Sequence, residues 1–143
     1  MKLALAQKLI LKTRKYYEKH GESFAISRQR DWPLFLALLQ YIKKGDKVLD
    51  LGCGSGRFCA LVRQKGAKYL GADTSKKLLA EARKNYPRAN FRYGDVLKLK
   101  AAPQSFDVIA LIAVFHHLPS IALRKQALQK LAKALKPGGI ILL

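Results

Sequence analysis

The stretch Val48-Leu-Asp-Leu-Gly-Cys-Gly-Ser-Gly-Arg-Phe58 decides the fold. An apolar run breaks into glycines at alternate positions, Gly52, Gly54 and Gly56, and then opens a helical pattern. A strand that turns this sharply into a helix lets backbone approach a ligand closely and aims helix amides at it. Downstream the same rhythm repeats: a helix over about 57–65, the run KYLGA, a helix over about 75–86, then FRYGD. After a polar loop come FDVIALIAV, a helix over about 120–136, and GIILL. Strands and helices in alternation predict an α/β fold with a parallel, doubly wound, Rossmann-like sheet and right-handed crossovers.

Upstream of residue 46 the pattern is helical. Leu3, Ala6, Leu9, Ile10, Thr13 and Tyr17 recur at helical spacing, predicting a helix over 1–20 that ends at Gly21. A second helix is signalled by Asp31 or Trp32 as cap, Pro33 in its first turn, and an apolar LFLALLQYI closed by Lys43, Lys44 and Gly45. The reading is therefore a helical region over 1–45 and an α/β core over 46–143.

The glycine loop does not match a dinucleotide site. G-x-G-x-x-G/A would need glycine or alanine at 57 or 59, which hold Arg57 and Cys59. Asp50 within the motif would also repel a pyrophosphate. A carboxylate there suits a ligand with an ammonium group. Asp73, at the end of the second strand and 21 residues past Gly52, stands where an acid commonly grips ribose hydroxyls. Asp95 follows the third strand in Tyr93-Gly-Asp-Val96. Asp107, opening the fourth strand, is read as structural.

This ordered set, from DLGCGSG through GADTS and YGDV to LKPGG, resembles the class I S-adenosylmethionine-dependent methyltransferases over residues 46–143. The resemblance implies a five-strand sheet of order 3-2-1-4-5 and S-adenosyl-L-methionine as cofactor. It places Gly52, Cys53, Gly54 and Gly56 around the methionine part, with Asp50 near its amino end. Asp73 and Thr74 fall at the ribose, Asp95 at the adenine amino group, Val96 on the ring and Ala113 at the methionine border. Two further segments narrow it. Tyr17-EKHGES-Phe24-AI-Ser27-Arg28-Q-Arg30-D-Trp32-Pro33 and IAVFHHLPSIALRKQALQKLAKALKPGG are similar to segments of the tRNA wobble-uridine methyltransferases, which esterify a 5-carboxymethyl group. In that family residues 1–45 would be the region through which substrate enters, Arg28 would clamp the acceptor carboxylate, and His116 would face it. Members normally continue past LKPGG with two further strands, so the core is expected to be C-terminally incomplete, with an apolar strand left at a sheet edge. A protein partner or second chain covering residues 139–143 would satisfy that edge.

The charge points to a polyanionic partner. With 28 Lys and Arg against 9 Asp and Glu the net charge is +19. Hydrophobic residues make up 50%, enough to bury a core, which excludes a disordered basic tail. Lys2, Lys8, Lys12, Arg14, Lys15 and Lys19 stripe the first helix, and Arg124, Lys125, Lys130, Lys133 and Lys136 stripe the last. Such stripes fit phosphate contacts, with tRNA as the expected partner. Val108–Phe115, eight residues, is the longest apolar run, far short of the roughly 20 that span a bilayer. No secretory leader is read at residues 1–15, where Lys8 and Lys12 interrupt the apolar stretch, so a cytoplasmic location is expected. Cys53 and Cys59 lack metal-site partners and read as small buried thiols of a reducing compartment.

Two other functions are compatible with these residues. One is a class I methyltransferase of a small molecule of the quinone-precursor type. The other is a non-catalytic subunit that keeps the fold to bind RNA or a partner.

Overall fold

The computed structural model describes residues 3–27 and 33–143, and Arg28, Arg30, Asp31 and Trp32 lie outside the described residues. Five parallel strands form one sheet in the order β3-β2-β1-β4-β5, as the resemblance implied. They are β1 (Lys47–Leu51), β2 (Lys68–Asp73), β3 (Asn90–Tyr93), β4 (Phe106–Ala110) and β5 (Leu135–Leu142). The connecting helices are α3 (Arg57–Gln64), α4 (Lys76–Asn85) and α5 (Ile121–Ala134), preceded by α1 (Leu3–Ser27) and α2 (Pro33–Leu38).

β1 lies at the centre because its residues are apolar on both faces. Val48 and Leu49 are essentially inaccessible, and each belongs to a different core. On one face Val48, Val108 and Tyr69 pack against Phe58, Cys59 and Val62 of α3 and Phe35 of α2. The Phe35 and Phe58 ring centres are 5.1 Å apart. On the other, Leu49, Leu51 and Ile109 pack against Ala127, Leu131 and Ala134 of α5. Burying such residues stabilises by roughly 25 cal/mol per Å² of apolar area. Serines fix two helix starts: Ser75 Oγ accepts from the Leu78 amide at 3.2 Å, and Ser120 Oγ from Leu123 at 3.3 Å.

Two expectations about boundaries are corrected. Gly21 does not end the first helix, which runs on to Ser27. Gly21 is buried, and a Cβ built there would stand 3.2 Å from Leu78 Cγ, so the glycine serves the close approach of α1 to α4. The last strand begins earlier than GIILL. Leu135 already pairs with Phe106, and the register slips between Phe106 and Val108 to accommodate LKPGG as an irregular lead-in. Asp107 works there as a structural residue: it accepts from Lys136 Nζ with both oxygens at 2.8 Å and from the Lys47 amide at 2.7 Å. β5 is an edge of the sheet, with Ile140 and Ile141 half-buried and Leu143 exposed.

Candidate cofactor and acceptor site

The carboxyl ends of β1, β2 and β3 open onto one cleft of about 240 Å³, where a ligand is expected in an open parallel sheet. Asp50, Asp73 and Asp95 all line it, one from each strand end. Asp50 is 3% exposed and accepts from the Tyr69 hydroxyl at 2.7 Å. Burial pushes its carboxyl up to about 7, with the Tyr69 bond opposing and the charge of Asp73 adding. Asp73 braces the loop opposite: Oδ2 accepts from the Gly54 amide at 2.9 Å and Oδ1 from Ser75 at 2.8 Å. Its carboxyl is also raised, chiefly by burial.

The glycine loop differs from the expected cradle of free amides. Gly52 and Cys53 both donate to Ala72 O, Gly54 to Asp73, and Gly56 to Cys53 O. These four amides are committed inside the fold, which suits a ligand without phosphate. What the loop needs from glycine is shape. Gly52 holds φ +78, and a Cβ there would lie 2.2 Å from Val114 Cγ2. Gly54, at φ +56, has nothing within 4 Å of such a Cβ, so it leaves the cleft side open for a ligand.

The structure brings together most of the predicted residues. Asp50, Gly52, Cys53, Gly54, Asp73, Thr74, Asp95, Val96, Ala113 and His116 line the cleft. Gly56 does not line it: a Cβ there would meet the Phe91 ring at 2.9 Å and Tyr86 at 3.1 Å, and it caps α3 in a left-handed conformation. Ala113 also holds a left-handed φ of 57, which for a residue with a Cβ costs about 1–2 kcal/mol and is stored in the wall of the cleft. Cys53 and Cys59 are buried free thiols whose ionisation burial suppresses, Cys59 being pushed up to about 11.

The inner face of α1 was not anticipated. Ile10, Thr13, Arg14 and Tyr17 form the roof of the cleft. Three contacts fasten that roof. Arg14 donates to Asp95 Oδ2 at 2.7 Å, while the other Asp95 oxygen accepts from the Leu97 amide at 3.0 Å. The Tyr17 hydroxyl lies 3.2 Å from His117 Nε2, and Ser75 Oγ donates to Glu18 at 2.8 Å. Desolvation, helped by neighbouring His116, lowers the His117 pKa below its usual value. Arg14, read from sequence as one of a basic stripe, is therefore an inward residue. The signal was available: at about 100° per residue it falls roughly opposite Lys8, Lys12, Lys15 and Lys19.

Among the described residues lining the cleft, the carboxylates are those three at the strand ends; His116 and His117, on the short 3-10 turn Phe115–His117 that follows β4, line it too. Arg57 also lines the cleft and lies over the Phe35 ring at 5.2 Å. No metal-binding cluster occurs among the described residues, and no described helix is long and apolar enough to cross a membrane.

Residues 49–143 match the family model described as "Methyltransferase domain". A putative methyltransferase of Encephalitozoon cuniculi is 34% identical over 131 residues, covering 90% of this chain and 59% of that protein. The mouse tRNA (carboxymethyluridine(34)-5-O)-methyltransferase ALKBH8 is 32% identical over 123 residues, covering 86% of this chain and 18% of that protein. The chain thus spans less than two thirds of the length of these relatives. A TehB-like S-adenosylmethionine-dependent methyltransferase from Corynebacterium glutamicum superposes with a TM-score of 0.69 over 90% of this chain and 70% of that one, at 23% identity, and so shares the fold. A family model matched over residues 49–143, on the sheet order and strand-end acids described above, shows that this chain belongs to the methyltransferase-domain family.

Proposed function

We propose that this chain transfers a methyl group to the carboxylate of a 5-carboxymethyl wobble uridine in tRNA. The observation that carries the reading is the sorting of charge in the cleft: its three acids stand at the strand ends, while Arg14, Arg57, His116 and His117 also line it. An anionic acceptor is favoured beside those basic side chains. The names of the relatives support the substrate class, as does the net charge of +19. Residues 1–45 act as the region that admits substrate.

The residues fit the cofactor. Asp50 suits an ammonium, Asp73 and Thr74 the ribose hydroxyls, and Asp95 an exocyclic amino group with Val96 beside the ring. Gly52, Cys53, Gly54 and Ala113 border the methionine part. S-adenosylmethionine supplies an electrophilic methyl carbon on a sulfonium sulfur. An acceptor carboxylate with a reference pKa near 4 is already ionised at neutral pH, so these residues need move no proton. Their work is alignment: they would hold the cofactor so that the acceptor oxygen meets its methyl carbon, and the cofactor would supply that methyl with a neutral thioether as its leaving group. Arg28 orients the carboxylate with paired hydrogen bonds, leaving one oxygen lone pair for attack, and His116 faces the acceptor.

The test is methylation of a tRNA bearing 5-carboxymethyluridine, where the product is an alkali-labile ester. Arg28→Ala should lower turnover about 10- to 100-fold, the worth of a charge-assisted hydrogen bond. An alkali-stable product, or full turnover by Arg28→Ala, would overturn the assignment.

Cofactor binding should also be proton-linked. An ammonium beside Asp50 favours its ionised form, so binding below about pH 7 expels the proton that burial holds there. Affinity should rise with pH through about 7 and then level off, and calorimetry in buffers of different ionisation heat should show release of about one proton near pH 6. Tyr69→Phe removes the bond that lowers Asp50 and should move the midpoint upward. Proton-independent binding, unchanged in that variant, would refute the pairing. The sign for stability is opposite. The folded value is raised above the ordinary 3.8, so the free protein should lose stability as pH rises from about 4 to about 7.

A further inference from the structure

We propose that the outer face of α1 is a docking rail for the sugar-phosphate backbone of RNA. Lys8, Lys12, Lys15 and Lys19 are exposed and spaced i, i+4, i+7, i+11, which gathers them within about 60° of arc. The row runs about 16 Å along the helix, long enough to follow several successive phosphates of one strand. Tyr16 stands beside the row, 55% exposed, its ring centre 4.8 Å from that of His20. An exposed aromatic edge next to a basic row is a surface on which an unpaired base stacks. The inference rests on the RNA substrate class proposed above and assigns where on the chain that RNA lies.

The division of labour around α1 selects this partner over an anionic membrane. A membrane-surface helix needs a continuous apolar face opposite its lysines. Here the opposite face, with Ala6, Ile10, Tyr17 and Gly21, is spent on the cleft and on α4. The exposed Leu5, Leu9 and Tyr16 lie within about 40° of arc on one flank of the lysine row and Leu11 on the other, a narrow strip beside the lysines rather than the broad apolar face opposite them that a membrane surface needs. The rail also belongs to the helix that roofs the cleft, so a backbone lying along it passes over the site of chemistry.

The experiment is fluorescence anisotropy of a labelled anticodon stem-loop RNA against the full chain, repeated across a salt series. The variant K8Q/K12Q/K15Q/K19Q is compared with K65Q/K68Q/K84Q/K100Q, which removes equal charge elsewhere, at exposed lysines outside both basic stripes. Circular dichroism and S-adenosylmethionine titration of each variant serve as checks on folding. The rail variant should lose at least about tenfold in affinity near 0.1 M salt, and the magnitude of its log–log salt slope should fall by about 3. The control should stay within about threefold. Tyr16→Ala should weaken binding about fivefold or more with the slope unchanged, as stacking carries no counterion release. Equal losses in both quadruple variants would overturn the proposal, as would binding of wild type to phosphatidylserine vesicles in preference to RNA. The two readings fail differently: RNA bound and methylated equally by wild type and rail variant sinks only the rail, whereas wild type that binds no RNA sinks the substrate class too.

Discussion

Asp73→Ala is expected to weaken S-adenosylmethionine binding at least about 100-fold, the largest loss from any single side chain in the cleft. Two effects add. The carboxylate reads ribose hydroxyls in the proposed site, and charge-assisted hydrogen bonds of that kind contribute about 1.5–3 kcal/mol. The same group accepts from the amides of Gly54 and Ser75, so its removal leaves two donors without their acceptor, at about 1–3 kcal/mol each where they stay dry. Each 1.4 kcal/mol is a factor of ten in affinity. Asp73→Asn separates the two effects. Its amide oxygen can still brace one backbone N–H, so thermal stability should recover while cofactor affinity stays low. Calorimetric titration alongside thermal melting reads both. Affinity within threefold of wild type in Asp73→Ala would remove Asp73 from the cofactor site.

The second large effect is structural. Gly52→Ala should destabilise the fold by about 2–5 kcal/mol, combining left-handed backbone strain of about 1–2 kcal/mol with overpacking of about 1–3 kcal/mol. The clash is specific: the new Cβ would stand 2.2 Å from Val114 Cγ2. At about 2–4 °C per kcal/mol the melting temperature should fall by about 4–20 °C. Val114→Ala in the same chain removes the clash and leaves the φ of +78, so the double variant should regain about half of the loss. A Gly52→Ala chain as stable as wild type would show that the loop moves aside freely, against the packing seen here.

The two predictions bear on what sequence alone conveys. The acids at 50, 73 and 95 were legible because a parallel sheet presents its carboxyl ends to one side, and residues spaced by β-α units reach the same cleft. The strand order followed from the family resemblance. What the residues did not convey was which polar groups satisfy each other. The loop amides looked free, yet Ala72 O, Cys53 O and Asp73 take four of them. Gly21 looked like a helix stop, since local propensity carries no record of the neighbour Leu78 that makes a glycine useful mid-helix. Arg14 looked like one more surface cation because charge composition hides direction; its partner lies 81 residues away. Trp32, and Arg28, whose clamping role is what the family resemblance implies, lie outside the described residues.

The roof of the cleft has a consequence for the order of folding. α1 leaves the ribosome before β1–β5, yet its fastenings reach Ser75, Asp95 and His117, separated from it by 57, 81 and 100 residues. Contacts of such long range form late, after the entropy of closing the intervening loops has been met. A helix made ahead of these five strands is therefore the last of these elements to dock. Until β4 and the turn after it are made, a lysine-rich helix waits with its apolar inner face uncovered, and a nascent-chain chaperone or the growing core must shield it.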